Sequence, residues 1–417
     1  MATRELLKSV PLLPLEERDR RWNRLRKRML MADVKALVFL GNDIYWDMGM
    51  ANLKYVFQVD SNIGADGLFC LDGEPVVWST LPYMNRPTSQ DWISDVRDRG
   101  GMDTIAEELR ARGLDRSRIG LVSFSSSVQV TPTLLHRDML DRQRVLPNVT
   151  WVDANHLLQE MRMVKSEAEI DMLRAAGKIA RLTVDALVDS ARPGVPGAAV
   201  YDEMIRTQIA HGADPNVFIL FSASPLEHDP NEPWHVLHHC DHPPTPSTRP
   251  LQDGDLIVTE WHTKYGGYRC HTEYTVYVGK RAPDQLLRLW DVAWECLEAS
   301  RSALTTGRTI REALEILRLP ARKADVDWAE LGFHAMGLES PEFPTVVYEN
   351  GRGNETLNGH NISDLVLETG MAFGNNIDLH DSTWRPDIGV MLSDFMVVRP
   401  DQAECLVGTP REIAQTG

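Results

Sequence analysis

Four ionisable side chains lie close together in one stretch of the sequence and are of types that carry out acid–base chemistry. They are Glu260, His262, His271 and Glu273. The stretch, GDLIVTEWHTKYGGYRCHTEYTVYVG, has two apolar segments separated by Gly266-Gly267, which predicts a β-hairpin. Residues two apart in a strand share a face, so the four side chains form two pairs. Because buried ionisable groups are normally paired or used, the hairpin is the candidate catalytic centre. The alternative is an edge hairpin whose charges face water.

These residue types suffice for hydrolysis of a C–N bond. That reaction needs a base, an acid for the leaving nitrogen and a group that stabilises the developing charge. A buried carboxylate can be nucleophile or base, two neighbouring carboxylates can have separated pKa values, and histidine titrates near neutrality. His242 and His334 supply imidazoles outside the hairpin. The alternative for His271 and His334 is a buried, hydrogen-bonded histidine, and for Glu342 a brace at a strand end.

A second group of histidines lies in the proline-rich segment 225–250. It contains His228, His235, His238, His239 and His242. Their spacing is not that of a regular metal site, so a surface loop with one functional histidine and a metal-binding loop both stay open.

Composition narrows the class of protein. A chain of 417 residues with 43% hydrophobic and 25% charged residues can form two globular domains. A net charge of −16 argues against nucleic-acid binding, which needs clustered lysine and arginine. The five cysteines are scattered and include no CxxC pair, which predicts reduced thiols, a cytoplasmic location and no thiolate zinc site. We find neither a secretory signal pattern nor an apolar run of membrane-spanning length.

The order of predicted elements indicates an α/β N-terminal domain over residues 1–160 and an α+β C-terminal catalytic domain over residues 161–417. Apolar periodicity predicts a helix at 15–31 and strands at 36–40, 53–57, 67–71 and 119–124. Ser166 and Glu169 form a Ser-x-x-Glu pattern, which predicts that a long helix begins there and extends to about Ser190.

Four segments, in order, resemble the pita-bread enzymes, which include aminopeptidase P, prolidase, creatinase and ectoine hydrolase. They are RMVKSEAEIDMLRAAGKIA, the central hairpin, GFHAMGLESPEFP and LETGMAFGNNI. The resemblance covers nearly the whole chain and implies a creatinase-like N-terminal domain, a pita-bread catalytic domain and a homodimer.

The resemblance also implies which positions hold metal in the metal-dependent members, where two aspartates, a histidine and two glutamates bind two ions. The matching positions here are Glu260, His271, His334, Asn376 and Ser393. Asn376 and Ser393 cannot supply the anionic oxygens that an ion pair requires. We therefore expect no metal cofactor; the alternative is one divalent ion at Glu260, His271 and His334.

Similarity to two metal-independent members implies roles for individual residues. Glu260 matches the attacking carboxylate of ectoine hydrolase, and Glu273 matches the glutamate that holds the guanidinium group in creatinase. His242 is the nearest match to the acid–base histidine of creatinase, and His334 is the other candidate for proton transfer. The expected substrate-binding residues are His271, Glu342, Asn376, Tyr268 and Asp66.

The sequence thus predicts a metal-independent hydrolase that cleaves a C–N bond (amide, amidine or cyclic imine) of a small zwitterionic or cationic metabolite, without nucleic-acid or membrane partners. Two alternatives stay open. One is a metal-dependent Xaa-Pro dipeptidase or a lyase with one bound ion, and the other is an inactive pita-bread module that binds a ligand or a protein.

Overall fold

A computed structural model describes most of the chain. The described residues are 11–41, 49–59, 64–79, 92–98, 101–122, 136–215, 218–227, 247–344, 356–357 and 360–417. The chain divides into two compact units, one formed by Met1–Met163 with Leu338–Phe343 and the other by Val164–Gly337 with Pro344–Gly417. None of the helices in the described ranges is long and apolar enough to cross a bilayer.

The first unit is an α/β domain with a six-stranded mixed sheet, as its element order predicts. Its helices are α1 (Leu15–Met31), α2 (Ala51–Phe57), α3 (Met102–Ala111), α4 (His136–Val145) and α5 (Asn155–Met163). Its strands are β1 (Ala36–Gly41), β2 (Ala65–Cys70), β3 (Val76–Ser79), β4 (Asp95–Asp98), β5 (Arg118–Val122) and β6 (Thr150–Asp153). The strand order is β4-β3-β2-β1-β5-β6, and the apolar core lies against this sheet.

One predicted strand of this unit is wrong, because residues 53–57 lie in α2. Every residue of ANLKYVF except Asn52 is buried, so the segment shows no apolar–polar period that would separate a helix from a strand. The helix ends at Gln58, whose N–H donates to the carbonyl of Lys54 and whose left-handed backbone (φ 55°) turns the chain out of the helix.

Within the described residues, the second unit contains four α-helices and three sheets, one of which is the two-stranded pair of β11 and β12. The helices are α6 (Glu167–Ser190), α7 (Gly197–Ala210), α8 (Asp284–Ala303) and α9 (Ile310–Ala324). The strands are β7 (Ile219–Pro225), β8 (Asp255–Tyr265), β9 (Tyr268–Val278), β10 (Asp327–Ala335), β11 (Thr356–Leu357), β12 (His360–Asn361), β13 (Ala372–Asp381), β14 (Arg385–Met391), β15 (Phe395–Val397), β16 (Glu404–Cys405) and β17 (Ala414–Gln415).

The predicted hairpin forms the centre of the first sheet, whose order is β17-β9-β8-β7. Each strand of the hairpin is flanked by another strand, and all of its residues from Asp255 to Lys264 and from Tyr268 to Val278 are buried. The alternative of a solvated edge hairpin is therefore excluded. The second sheet has the order β10-β13-β15-β16, with β14 also paired to β13.

Helix α6 begins with the predicted capping box and lies against β8 and β9. The N–H of Glu169 donates to Ser166 Oγ (3.3 Å), and the N–H of Ser166 donates to the Glu169 carboxylate (3.0 Å). The helix is also tied to the end of the chain, because Arg174 forms an ion pair with Glu404 at 2.7 Å. Arg399 pairs with the same carboxylate at 2.6 Å.

We expect this cluster to make the stability of the unit depend on pH. Hydrogen bonding to Arg174 lowers the pKa of Glu404, against the opposing effect of burial. Its stabilising contribution is therefore present above the unfolded pKa of ~4.3 and is lost as the pH falls through the lower folded pKa. The variant Glu404→Gln should unfold at lower urea concentration than the parent at neutral pH. This difference between the two urea midpoints should disappear in acid.

Urea unfolding of both proteins near neutrality and near pH 3 (roughly a unit below the unfolded pKa) measures this difference. Glu298→Gln is a matched control, because the pair of Glu298 with Arg301 is exposed and spans 3.9 Å. A difference that stays constant with pH would contradict the assigned role of Glu404.

Candidate active site

The hairpin register places the four ionisable side chains on one face. Glu260 lies opposite Glu273, and His262 lies opposite His271. Residues opposite each other in an antiparallel pair point to the same side, and so do residues two apart along a strand. All four side chains are buried. The sheet therefore brings two carboxylates and two imidazoles together on a rigid support.

His271 lies between the two carboxylates. Its Nδ1 is 3.3 Å from Glu260 Oε1, and its Nε2 is 3.5 Å from Glu273 Oε1. Both separations are longer than a good N–H···O hydrogen bond, so we describe them as ionic contacts. Burial lowers the pKa of His271, but the two carboxylates outweigh this effect and raise it to about 10. In the absence of an ion, the His271 ring is therefore a cation at neutral pH.

His262 differs from His271 in its charge state. Its Nε2 is 3.8 Å from Glu260 Oε1, and its ring stacks on Phe218 with centroids 4.0 Å apart. Burial lowers the pKa of His262 well below its ordinary value, although Glu260 opposes this change. The positive charges of His271 and Arg269 lower it further. His262 is therefore neutral at neutral pH and offers a lone pair.

The second sheet adds His334 and Asn376 to the site. The ring centroid of His334 on β10 is 5.1 Å from that of His271, in an edge-on arrangement. Burial, and then the charge of His271, lower the pKa of His334 to about 3. Asn376 on β13 donates from Nδ2 to Glu273 Oε1 at 3.0 Å. Asn376 therefore fixes the orientation of the Glu273 carboxylate.

Gly374 allows the two sheets to approach this closely. It lies opposite His334 in the β10–β13 pair. A Cβ at this position would lie 2.7 Å from the Cβ of His271, a distance that real side chains do not adopt. Any larger residue at position 374 would push the second sheet away from the hairpin.

Glu260, His262 and His271 have the geometry of a mononuclear metal site. One ligand atom from each lies within 4.8 Å of the other two, and this is the one such group of acids, histidines and cysteines within the described residues. A carboxylate and two imidazoles are suitable ligands for zinc, iron or nickel. A second ion fits less well, because Ser393 Oγ accepts the N–H of Glu273 at 2.5 Å and Asn376 is a neutral amide. The donor set therefore fits one ion.

His262 is the member of this group that the sequence placed on the hairpin but to which we assigned no catalytic, binding or metal-binding role. The single-ion alternative named His334 in its place. The signal was present, because Glu260 and His262 are two residues apart in a strand and must share a face. The resemblance indicated His334 as the third ligand, because the matching position binds metal in the metal-dependent members.

The other predicted site residues lie in several places. His242 falls outside the described residues, as do His228, His235, His238 and His239. Tyr268 points to the face opposite His271, and its hydroxyl donates to Glu169 Oε1 at 3.1 Å. Asp66 lies in β2 of the first unit and is buried. The roles of these residues in substrate binding stay predictions.

Glu342 also belongs to the first unit. Its carboxylate pairs with Arg162 at 2.5 Å, and Glu339 pairs with the same guanidinium at 3.0 Å. The positive charge of Arg162 compensates for the burial of both acids. The role of Glu342 in substrate binding and the alternative of a brace at a strand end both stay predictions.

Comparison with known proteins identifies the family. The model of metallopeptidase family M24 matches residues 171–400, which include the hairpin, His334 and Asn376. The chain belongs to metallopeptidase family M24. It is 25% identical over 429 residues to the ectoine hydrolase of Halomonas elongata, covering 97% of this chain and 98% of that protein. It is 27% identical over 313 residues to the probable dipeptidase PepE of Mycobacterium tuberculosis, covering 72% of each.

A solved structure confirms the predicted fold class. The Xaa-Pro dipeptidase from Bacillus anthracis superimposes with a TM-score of 0.72 at 18% identity, covering 95% of this chain and 99% of that one. The predicted pita-bread architecture is therefore correct. The M24 relatives are hydrolases that act on C–N bonds, and this M24 protein is a hydrolase of that class.

The expectation that this M24 protein has no metal cofactor is wrong. It belongs to a family of metallopeptidases, and Glu260, His262 and His271 converge as ligands would. Our error was to treat the loss of two late carboxylates as the loss of all metal binding. Asn376 and Ser393 remove ligands for a second ion, but the hairpin alone retains three donors.

Proposed function

We propose that this M24 protein hydrolyses a C–N bond of a small zwitterionic or cationic metabolite, with one divalent ion at Glu260, His262 and His271. The observation that carries the proposal is the burial of Glu260 and Glu273 on either side of His271. Asp378 adds a third buried carboxylate on the face of β13 that carries Asn376. Buried negative charge of this kind favours a positively charged ligand.

The ion would supply Lewis acidity, stabilising negative charge on the oxygen of the attacked group. Metal coordination requires neutral imidazole, so an ion at His271 would replace its proton. His262 is already neutral, and its stacking on Phe218 fixes the plane of its ring. The sequence of the hairpin thus places two imidazoles and one carboxylate on strands that cannot move independently.

The remaining residues bind the substrate and move protons. Glu273, oriented by Asn376, is placed to hold a cationic nitrogen through a charge-assisted hydrogen bond. His334 is a neutral imidazole beside His271, so its ring can accept one hydrogen bond and donate another, and its role in proton transfer, expected from the sequence, stays a prediction. His242 stays a second candidate for proton transfer. Glu260 is the carboxylate that both hairpin histidines face, and we expect activity to depend on it most.

The relatives support a zwitterionic substrate. One of them is an ectoine hydrolase that covers almost the whole chain. Ectoine carries a cationic amidine and a carboxylate. Another relative is the creatinase of a Bacillus species, and creatine carries a guanidinium group and a carboxylate. A homodimer and a cytoplasmic location, both expected from the sequence, stay predictions.

The test is a comparison of hydrolysis rates by NMR for ectoine, creatine and glycyl-proline at equal concentration. We expect ectoine or creatine to be cleaved faster than the dipeptide, with Glu260→Gln as the inactive control. Faster cleavage of glycyl-proline, which is itself a zwitterion, would keep the C–N hydrolase assignment but favour the dipeptidase alternative for the substrate. Turnover of none of the three would argue against a small zwitterion as substrate.

A further inference from the structure

The ring of His262 stacks on the ring of Phe218, the residue that immediately precedes β7. The planes of the two rings are 13° from parallel, with the centroids 4.0 Å apart. Strand β7 lies beside β8 in the first sheet, and the His262 N–H donates to the Phe218 carbonyl at 3.2 Å. Residues opposite each other in an antiparallel pair point to the same face. The backbone of the sheet therefore brings the two rings together.

This stacking restrains the ring of His262 and leaves its nitrogen atoms accessible to a ligand. A neutral imidazole binds a metal through a lone pair in the plane of its ring, whereas Phe218 covers the face of that ring. Rotation of a histidine ring about the Cβ–Cγ bond is otherwise soft, because this bond joins an sp³ to an sp² carbon. Such a rotation would move Nε2 of His262 away from its position 3.8 Å from Glu260 Oε1. Phe218 therefore holds Nε2 beside the carboxylate with which it would share an ion.

Phe218 also keeps this side of the site dry. The phenyl side chain is 6% exposed, and His262 is 3% exposed. The apolar residues around a metal site control the access of solvent to its ligands, and water competes with an imidazole for the ion. A residue without a planar ring at position 218 would leave His262 free to turn and would open one face of its ring.

We infer that Phe218 is a positioning residue for the ion, and that its ring raises the affinity of Glu260, His262 and His271 for a divalent cation. The inference rests on the proposed function, because it requires the ion to bind at these three residues. It deepens that proposal by assigning part of the affinity to a side chain that supplies no ligand atom. Residues that orient a metal ligand typically change the affinity for the metal by roughly 10- to 100-fold.

The test measures the affinity for Co²⁺ alone and requires no substrate. Metal-free parent and variants are titrated with Co²⁺ in competition with a chelator, and the visible spectrum reports the ligands of the bound ion. Phe218→Leu keeps an apolar side chain and removes the planar ring, so we expect roughly 10- to 100-fold weaker binding and an altered spectrum. Phe218→Tyr keeps the ring and should retain the affinity and the spectrum of the parent.

Phe221→Leu is the matched control, because it makes the same change three residues further along. Phe221 is also buried, at 5% exposure, and its ring meets that of Tyr201 edge-on at 6.2 Å. It lies opposite Thr259, on the face of β8 that does not carry Glu260. We expect Phe221→Leu to unfold at lower urea concentration than the parent but to bind Co²⁺ with unchanged affinity.

Circular dichroism establishes that each variant is folded. If Phe218→Leu does not fold, Phe218→Met, which also lacks a planar ring, provides the same comparison.

Three results would overturn the inference. The first is an unchanged Co²⁺ affinity in Phe218→Leu, and the second is an equal loss in Phe218→Leu and Phe221→Leu, which would reflect packing in general. The third is an equal loss in Phe218→Leu and Phe218→Tyr, which would show that the ring is not the cause. Failure of the proposed ion site would appear differently. In that case the parent itself would not bind stoichiometric Co²⁺, and both proposals would fall.

Discussion

Replacing Glu260 with glutamine is expected to lower kcat by on the order of 10³-fold with the fold intact. The change keeps the size of the side chain and removes the charge that both hairpin histidines face, at 3.3 Å from His271 and 3.8 Å from His262. Glu260 is the one carboxylate of the proposed ion site, so its loss should weaken binding of the ion that supplies Lewis acidity, and loss of a catalytic group usually costs roughly 10²- to 10⁴-fold in rate. Steady-state kinetics on the substrate found by the NMR comparison measures the effect.

Glu273→Gln is the matched control, because it removes the other carboxylate that contacts His271. We expect this variant to raise KM with a smaller change in kcat, since Glu273 holds the cationic nitrogen and an interaction lost equally from ground and transition states appears in KM. An unchanged kcat in Glu260→Gln would remove Glu260 from the mechanism. Equal effects of both variants on kcat alone would contradict the division of roles.

The second large effect concerns the ion. We expect the purified M24 protein to hold about one equivalent of a divalent transition metal, because three competent ligands converge on the hairpin, whereas Asn376 and Ser393 carry no carboxylate for a second ion. Prolonged dialysis against a strong chelator should abolish activity, and addition of one equivalent should restore it. Elemental analysis and the visible spectrum of the cobalt-substituted protein report binding independently of turnover.

Two histidine variants distinguish the ligand sets. His262→Ala should lose the ion and the cobalt spectrum, because His262 is one of the three converging residues. His334→Ala should retain both, because His334 lies outside the group of three converging residues. If His262→Ala retains the ion and His334→Ala loses it, this assignment is contradicted. That result would favour the ligand set Glu260, His271 and His334, which the sequence suggested as an alternative.

Local sequence signals predicted much of the fold. The boundaries of α1 and the capping box of α6 follow from short-range chemistry, and both match the structure. The two glycines at 266 and 267 fixed the turn of the hairpin, and the turn fixed the register that pairs Glu260 with Glu273. The error at α2 arose where burial on all sides erased the period that separates a helix from a strand.

The sequence predicted the part of the site that lies on a single element, the hairpin. The two pairs on the hairpin follow from the alternation of a strand. The contact of Asn376 with Glu273 could not be predicted, because it joins residues 103 positions apart through the packing of two sheets. The close approach allowed by Gly374 depends on the same packing. The pKa values of His262 and His334 depend on burial, which no short motif encodes.

A crystal structure of the Glu260→Gln variant and of the parent, each soaked with ectoine and measured at the absorption edges of the first-row metals, tests the central claim most directly. For the parent, we expect a single anomalous peak bounded by Glu260, His262 and His271, with the amidine of the ligand at Glu273. The variant should lack the peak or show it at reduced occupancy. A metal bound away from the hairpin, or a ligand bound with its cationic end away from Glu273, would contradict the account.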